Sequence, residues 1–255
     1  MDGPGRQSHE DASGFGRAMI GEAVDEGIGR IPGFVNAYVV EDPAGWYLVD
    51  TTMSRSATPV HRAFKRAGAD LGRVGTILLT HHHPDHMRGA AEIERIRHAV
   101  VACHAADAPY VDGRETPRMG FLMRLLVRPS PVPVSRTLSD GDSVGPFRVV
   151  HVPGHTAGEV AYYLPDRRIL FSGDSVVERK GRLTLPAPRF AADLRQAVAS
   201  LQTLRNLPIE LLLPGHGVPV RKDFTERLDD LIARAPSEFL SPLSGKGIPP
   251  RGQGP

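Results

Sequence analysis

Apolar residues along this chain gather in short runs more often than in long helical stripes. Phe34–Glu41 and Trp46–Asp50 are β-rich runs divided by the turn-like Asp42-Pro43-Ala44-Gly45, and they predict a hairpin. Thr76–Thr80, Ala99–Cys103, Arg148–Val152, Glu159–Leu164, Arg168–Ser172 and Ile209–Leu213 predict further strands. Helical spacing appears between them, at Thr58–Ala67 (closed by Gly68), Met87–Arg97 and Phe224–Arg234. Asp193–Asn206 is the clearest case, with Leu194, Ala197, Val198, Leu201 and Leu204 on one face and Asp193 as the predicted N-cap. Strands outnumber helices and are interspersed with them. That excludes a helical bundle and fits a layered α/β protein, either a doubly wound sheet or a sandwich flanked by helices.

Three segments break the pattern. Met1–Gly16 is Gly-rich and polar, and Ser241–Pro255 is rich in Pro, Gly and Ser, so both read as flexible tails around a single domain over residues 17–240. Ala105–Arg136 is irregular. It holds the apolar stretch Met119–Val127, followed by Pro129, Pro131 and Pro133, and reads equally as a core helix or as a lid over a pocket.

Composition narrows the function classes. A length of 255 residues suits one large domain or two small ones. The chain is 40% hydrophobic and 24% charged, which is ordinary for a soluble globular protein. Net charge is +2 with scattered basic residues, so no nucleic-acid partner is expected. The only cysteine, Cys103, lies in an apolar run and reads as a buried, inert thiol in a reducing compartment. The N-terminus lacks a signal pattern, and no apolar run approaches the ~20 residues needed to cross a bilayer. The expected location is the cytoplasm, away from membranes.

Candidate chemistry begins at "THHHPDH", Thr80 to His86. At the end of an extended strand His81 and His83 point to one side, where they can grip one ion, while His82 points away and should be dispensable. Pro84 interrupts regular structure and lets Asp85 and His86 aim at a second ion. One cluster cannot complete two coordination spheres. His155 in "VPGHTAGE", Asp174 in "LFSGDS" and His216 in "LLLPGHG" supply more donors, each in a Gly-containing turn directly after an apolar strand. A lone histidine in a turn carries no weight, but four such turns at the ends of core strands do.

In this order, "THHHPDH", "PGHTAGE", "SGDS" and "PGHG" resemble the successive motifs of the metallo-β-lactamase-fold hydrolases. "VNAYVVEDPAGWYLVDTT" resembles that family's opening hairpin. The resemblance implies an αββα sandwich with two mixed sheets and a site at one edge. It implies two divalent ions, zinc first with iron or manganese as alternatives. His81, His83 and His155 would hold one ion, Asp85, His86 and His216 the other, with Asp174 bridging and Asp50 orienting a ligand from behind. A water bridging the ions would lose a proton near neutral pH and attack a carbonyl as hydroxide, while Asp85 also shuttles a proton to the leaving group.

Asp at position 174 resembles the thioesterase, lactonase and ester-hydrolase branches, glyoxalase II among them, and no "GxSxG" elbow is present. Departures set this chain apart. Glu159 stands where many of these relatives have a second histidine, and only about forty residues follow His216, too few for a glutathione-binding helical domain. Met119–Val127 falls where lactonase-like relatives carry an insertion near the pocket, so Phe121 and Leu125 are candidate contacts for an apolar acyl or aryl part. The expected activity is hydrolysis of a small-molecule ester, lactone or thioester. Competing readings are a mononuclear iron enzyme acting on persulfides, a phosphodiesterase and a non-catalytic binding module. A homo-oligomer is compatible with the sequence.

Overall fold

Most strands of this chain are buried on both faces, so each sheet must be covered twice. In the computed structural model, which describes residues 19–116 and 130–240, two sheets pack face to face with helices outside them. The first sheet contains β1 (Glu22–Asp25), β2 (Ile28–Ile31), β3 (Ala37–Val40), β4 (Trp46–Val49), β5 (Val74–Leu78), β6 (Val100–His104) and β7 (Arg136–Leu138), in that spatial order. The second has β14 (Leu211–Pro214), β11 (Ile169–Gly173), β10 (Val160–Leu164), β9 (Phe147–His151) and β8 (Ser143–Val144) side by side. A small hairpin pairs β12 (Val177–Arg179) with β13 (Arg182–Thr184). The helices are α1 (Thr58–Arg66), α2 (Pro84–Met87), α3 (Ala90–Arg97), α4 (Ala108–Val111), α5 (Leu194–Arg205) and α6 (Phe224–Phe239).

Strand alternation sorts the core into three layers. Trp46 and Leu48 of β4 join Val60 and Phe64 of α1 on the outer face of the first sheet. Tyr47 and Val49 turn inward and meet Phe147, Tyr162, Leu211 and Leu213 from the second sheet. Leu212 points out to Leu201 and Leu204 of α5 and Leu228 and Leu231 of α6. This is the αββα sandwich that the motif resemblance implies.

The topology brings the strand ends together. β4 to β7 run parallel, as do β11 and β14, and β9 has the same direction as β11 because both are antiparallel to β10. The sheets are tied at this edge. Val160 N–H donates to Thr80 O (3.0 Å), Tyr162 O–H to Leu79 O (2.8 Å) and Tyr38 O–H to Pro214 O (2.8 Å). The loops after β4, β5, β9, β11 and β14 therefore open on one rim.

The expected strands are present with ends shifted by at most three residues. The hairpin β1–β2, strands β7 and β8, and the hairpin β12–β13 were not expected. The helix predicted over Met87–Arg97 is split into α2 and α3. Thr51 N–H and Oγ1–H both donate to His86 O (2.7 and 2.9 Å), and Gly89 N–H donates to Thr51 Oγ1 (3.1 Å). The His86 carbonyl is thus taken by the loop after β4 instead of by the next helical turn. Phe121, Leu125 and both expected tails lie outside the described residues.

Asp193 is the N-cap of α5 as expected, with Oδ1 accepting from Gln196 N–H (3.1 Å). Its own N–H donates to Gly154 O (2.8 Å), so the cap also fastens the loop after β9. At Gly154 (φ 136°) a Cβ would lie 2.2 Å from Ala197 N, and only glycine permits this approach. Replacing Asp193 with alanine is expected to cost ~1 kcal/mol and to lower the melting temperature by about 2–4 °C. An unchanged thermal melt would show that the cap adds nothing.

Candidate metal centre

The rim gathers seven polar side chains from four loops. After β5 the chain stays extended through His83 (φ −67°, ψ 141°), and Pro84 then starts α2, so Asp85 and His86 leave from its first turn. The loop after β9 brings His155, the end of β11 brings Asp174 and the loop after β14 brings His216. His81, His83 and His155 each offer a ligand atom within 4.8 Å of the others. So do Asp85, His86 and His216, and a third group, His81, His86 and Asp174, links the two.

Neighbouring acceptors set the tautomers. His86 Nδ1 lies 2.8 Å from Asp50 Oδ2, and an ionised carboxylate only accepts, so Nδ1 carries the proton. His216 Nδ1 is likewise the donor to Phe34 O (2.8 Å). Thr80 has a single hydroxyl proton and gives it to Asp50 (2.9 Å to Oδ2), so its oxygen accepts from His81 Nδ1 at 3.0 Å. In each neutral ring the Nε2 lone pair is left facing inward. Asp50 itself sits at φ 56°, a left-handed conformation costing roughly 1–2 kcal/mol, and Thr52 follows at φ 70°. Thr80 N–H on Asp50 Oδ1 (2.9 Å) and Asp50 N–H on Leu78 O (3.0 Å) hold it there.

The inward atoms lack partners. His81 Nε2, His86 Nε2, both His155 nitrogens and Asp174 Oδ1 are buried with no hydrogen-bond partner among the described residues. His86 Nε2 lies 3.4 Å from Asp174 Oδ1, and His155 Nε2 lies 3.4 Å from Asp174 Oδ2. His216 Nε2 is 3.5 Å from both Asp85 Oδ2 and Asp174 Oδ2. These separations are long for charge-assisted hydrogen bonds. Two donors each ~2.0–2.1 Å from a tetrahedral ion stand ~3.3 Å apart, so the spacing suits a shared cation. Orphaned buried atoms of this kind, from imidazole and carboxylate, fit divalent metal ions.

Without an ion the site is electrostatically divided. Burial, with the neighbouring imidazoles adding to it, holds His81 well below the usual histidine range. Burial lowers His83 to about 3 and His155 to about 4. Burial also opposes charge on His86, but Asp50 and Asp174 on its two sides outweigh it and raise that ring well above the range. Asp85 and Asp174, despite burial, are pulled below the carboxylate range by His216, His86 and their neighbours. Burial and the charge of Asp174 raise Glu159 well above it.

Further groups position the loops and carried little signal in the sequence. Asp107, wholly buried, accepts from His82 N–H (2.9 Å), Thr156 Oγ1–H (2.8 Å) and Gly158 N–H (2.8 Å). It joins the loop carrying His81 and His83 to the loop carrying His155. His82 turns away from the cluster, its ring stacked on Tyr110 (4.6 Å) and 2.9 Å from Asp107. Asn36 fastens the His216 loop through its N–H to Gly215 O (2.8 Å) and its side-chain amide to Pro214 O and Gly217 O (2.9 Å each). Glu178 holds the same loop by accepting from Val218 N–H (3.0 Å). No helix among the described residues is long and apolar enough to cross a membrane.

Residues 30–216 match the family model described as the metallo-beta-lactamase superfamily. The chain is 29% identical over 79% of its length to "Probable metallo-hydrolase YflN" of Bacillus subtilis, covering 88% of that protein. It is 33% identical over 71% of its length to a hydroxyacylglutathione hydrolase of Cereibacter sphaeroides, of which it spans 61%. Among solved structures, TTHA1623 in a di-iron-bound form superposes with a TM-score of 0.62 at 31% identity, over 76% of this chain and 93% of that one.

The divided electrostatics give a pH signature. Below the ordinary imidazole value of about 6.5, the unfolded chain takes up protons that His81, His83 and His155 refuse in the folded one, so stability falls on acidification. Glu159, with its raised value, opposes this limb, but three imidazoles outnumber it. Above 6.5, the folded chain keeps protons on His86 and Glu159 that the unfolded chain releases, so stability also falls as pH rises. Metal-stripped protein is expected to melt highest near pH 6.5 and lower at pH 5 and pH 8. Zinc bound through His86 would displace its proton and should flatten the alkaline side. A melting temperature that rises steadily from pH 5 to pH 8 without metal would contradict this assignment.

Proposed function

The chain belongs to the metallo-beta-lactamase superfamily, and from that premise we propose that it is a dinuclear metal-dependent hydrolase of a small-molecule carboxylic ester, lactone or thioester. The observation that carries the reading is the set of unpaired, buried imidazole and carboxylate atoms at cation spacing, with Asp174 within 3.5 Å of donors from both three-residue groups. In this reading His81, His83 and His155 hold one ion, Asp85, His86 and His216 hold the other, and Asp174 belongs to both.

When bound, two divalent ions supply Lewis acidity for a carbonyl and acidify a water, to a pKa of ~7 in the zinc case. The remaining work falls to the chain. Asp50 keeps His86 in its Nδ1-protonated form directly and His81 through Thr80, so both present Nε2. Asp85 is part-exposed at the mouth and is held in the carboxylate form, so it accepts the proton that must pass to the leaving group. Phe34, 74% exposed, stands edge-on to His216 with ring centroids 5.2 Å apart, and exposed Val218 lies on the loop zipped to it. This lip gives an apolar acyl or aryl part a surface to cover.

Likeness to hydroxyacylglutathione hydrolases supports the ester and thioester class. Zinc suits the donor set, and the di-iron form of TTHA1623 makes iron the second reading for metal identity.

Protein of measured metal content should be assayed on lactones, thioesters, aryl esters and phosphodiesters. About two ions per chain and turnover of one of the first three classes are expected. His155→Ala and Asp174→Ala should each abolish hydrolysis and lower the metal content. Full activity in either variant rejects the ligand assignment, and fully loaded protein that turns over none of the first three classes rejects the hydrolase reading.

A further inference from the structure

Glu159 is the least expected side chain in the site. It enters β10, a strand buried along its whole length, and is itself wholly buried. Its Oε1 accepts from Asp174 N–H at 2.7 Å. Its Oε2 lies 3.7 Å from His81 Nδ1 and has no hydrogen-bond partner among the described residues. The surroundings are shaped to admit it. Gly173 (φ 53°) has no Cβ, and one added there would lie 2.8 Å from Glu159 Oε1 and 2.7 Å from Thr80 Cβ. A buried polar atom without a partner calls for an explanation, and here the nearest group is the back of a candidate ligand.

We infer that Glu159 is a positioning residue for the metal centre: one oxygen fixes the main chain at the shared ligand Asp174, and the other sits behind His81 Nδ1. This rests on the reading of His81 and Asp174 as ligands. One carboxyl group then spans a ligand of the first ion and the ligand common to both. The Oε1 bond sets where the Asp174 carboxylate starts from. Cations held in front by His81 and Asp174 draw Glu159 into its carboxylate form, and Oε2, beside the Nδ1–H that Thr80 accepts, then favours the tautomer in which His81 Nε2 is free and strengthens that imidazole as a donor.

Glu159→Gln tests this at nearly constant volume. The amide oxygen can still accept from Asp174 N–H, but the NH₂ group then faces His81 Nδ1–H, donor against donor. The flipped amide puts the same clash at Asp174. Zinc affinity, measured by competition with a chromophoric chelator, is expected to fall 10–100-fold, while the melting temperature of the metal-stripped variant stays close to that of wild type. Glu159→Gln that binds zinc as tightly as wild type overturns the inference. A variant that loses metal-free stability but keeps its zinc affinity overturns it too, since that is a structural role alone. Glu159→Asp keeps the test open should Glu159→Gln not fold. It retains the charge but cannot reach both groups, so zinc affinity is again expected to fall about 10-fold or more, and an unchanged affinity overturns the inference. Wild-type protein that binds no zinc overturns the ligand reading itself, a distinguishable result.

Discussion

Turning several imidazole lone pairs toward one dry spot is the constraint on which this structure depends. A buried nitrogen without a partner costs on the order of 1–3 kcal/mol, and His81, His86 and His155 all carry one. Rings so placed would turn away unless held from behind. Asp50 holds His86 and, through Thr80, His81, and the Phe34 carbonyl holds His216. The strained backbone at Asp50 and Thr52 follows from the same demand, because the strand must end abruptly for its carboxylate to turn back under the histidines. Two sheets are needed as well: the first supplies His81, His83, Asp85 and His86, and the second supplies His155, Asp174 and His216.

The carboxylates divide by position more than by kind. Asp85 and Asp174 face the cluster and are pulled toward the charged form by imidazoles. Asp107 stands outside it and takes three hydrogen bonds, which satisfy it without a cation and let it join two loops. Glu159 has one satisfied oxygen and one unsatisfied, and lies between these cases. The same side-chain chemistry thus faces the cluster, braces it or links loops according to how many main-chain N–H groups reach it.

Much of this was legible in the sequence. The apolar runs located eight of the twelve strands in the two large sheets, and the motif order picked out seven side chains that the fold brings to one rim, because strand ends and glycine turns are local signals. The division of "HHHPDH" was legible too: His82 does turn outward, and Pro84 does start a new element. What escaped depends on distance along the chain. Nothing in "HAADAPY" marks Asp107, whose partners Thr156 and Gly158 lie 49 and 51 residues away. Glu22–Asp25 has no alternation and becomes a strand only by pairing with β2. The break between α2 and α3 comes from Thr51, 35 residues upstream of the carbonyl it takes. Glu159 did leave a trace, a lone charge at the entrance to "VAYYL", but without the fold it read only as a departure from a motif.

The contacts that fasten His216 reach back across nearly the whole described chain: its Nδ1 meets a carbonyl 182 residues away, and Gly217 meets the Asn36 side chain at a separation of 181. During synthesis, His86 therefore leaves the ribosome with Asp174 and His216 still unmade. At ~5–20 residues per second, the stretch between His86 and His216 takes on the order of ten seconds to produce. Throughout that interval the nascent chain exposes "HHHPDH" to any ion in its surroundings, with nothing to select which one stays. Discrimination among cations belongs to the closed protein, and it begins only when the last strand of the second sheet docks beside β11.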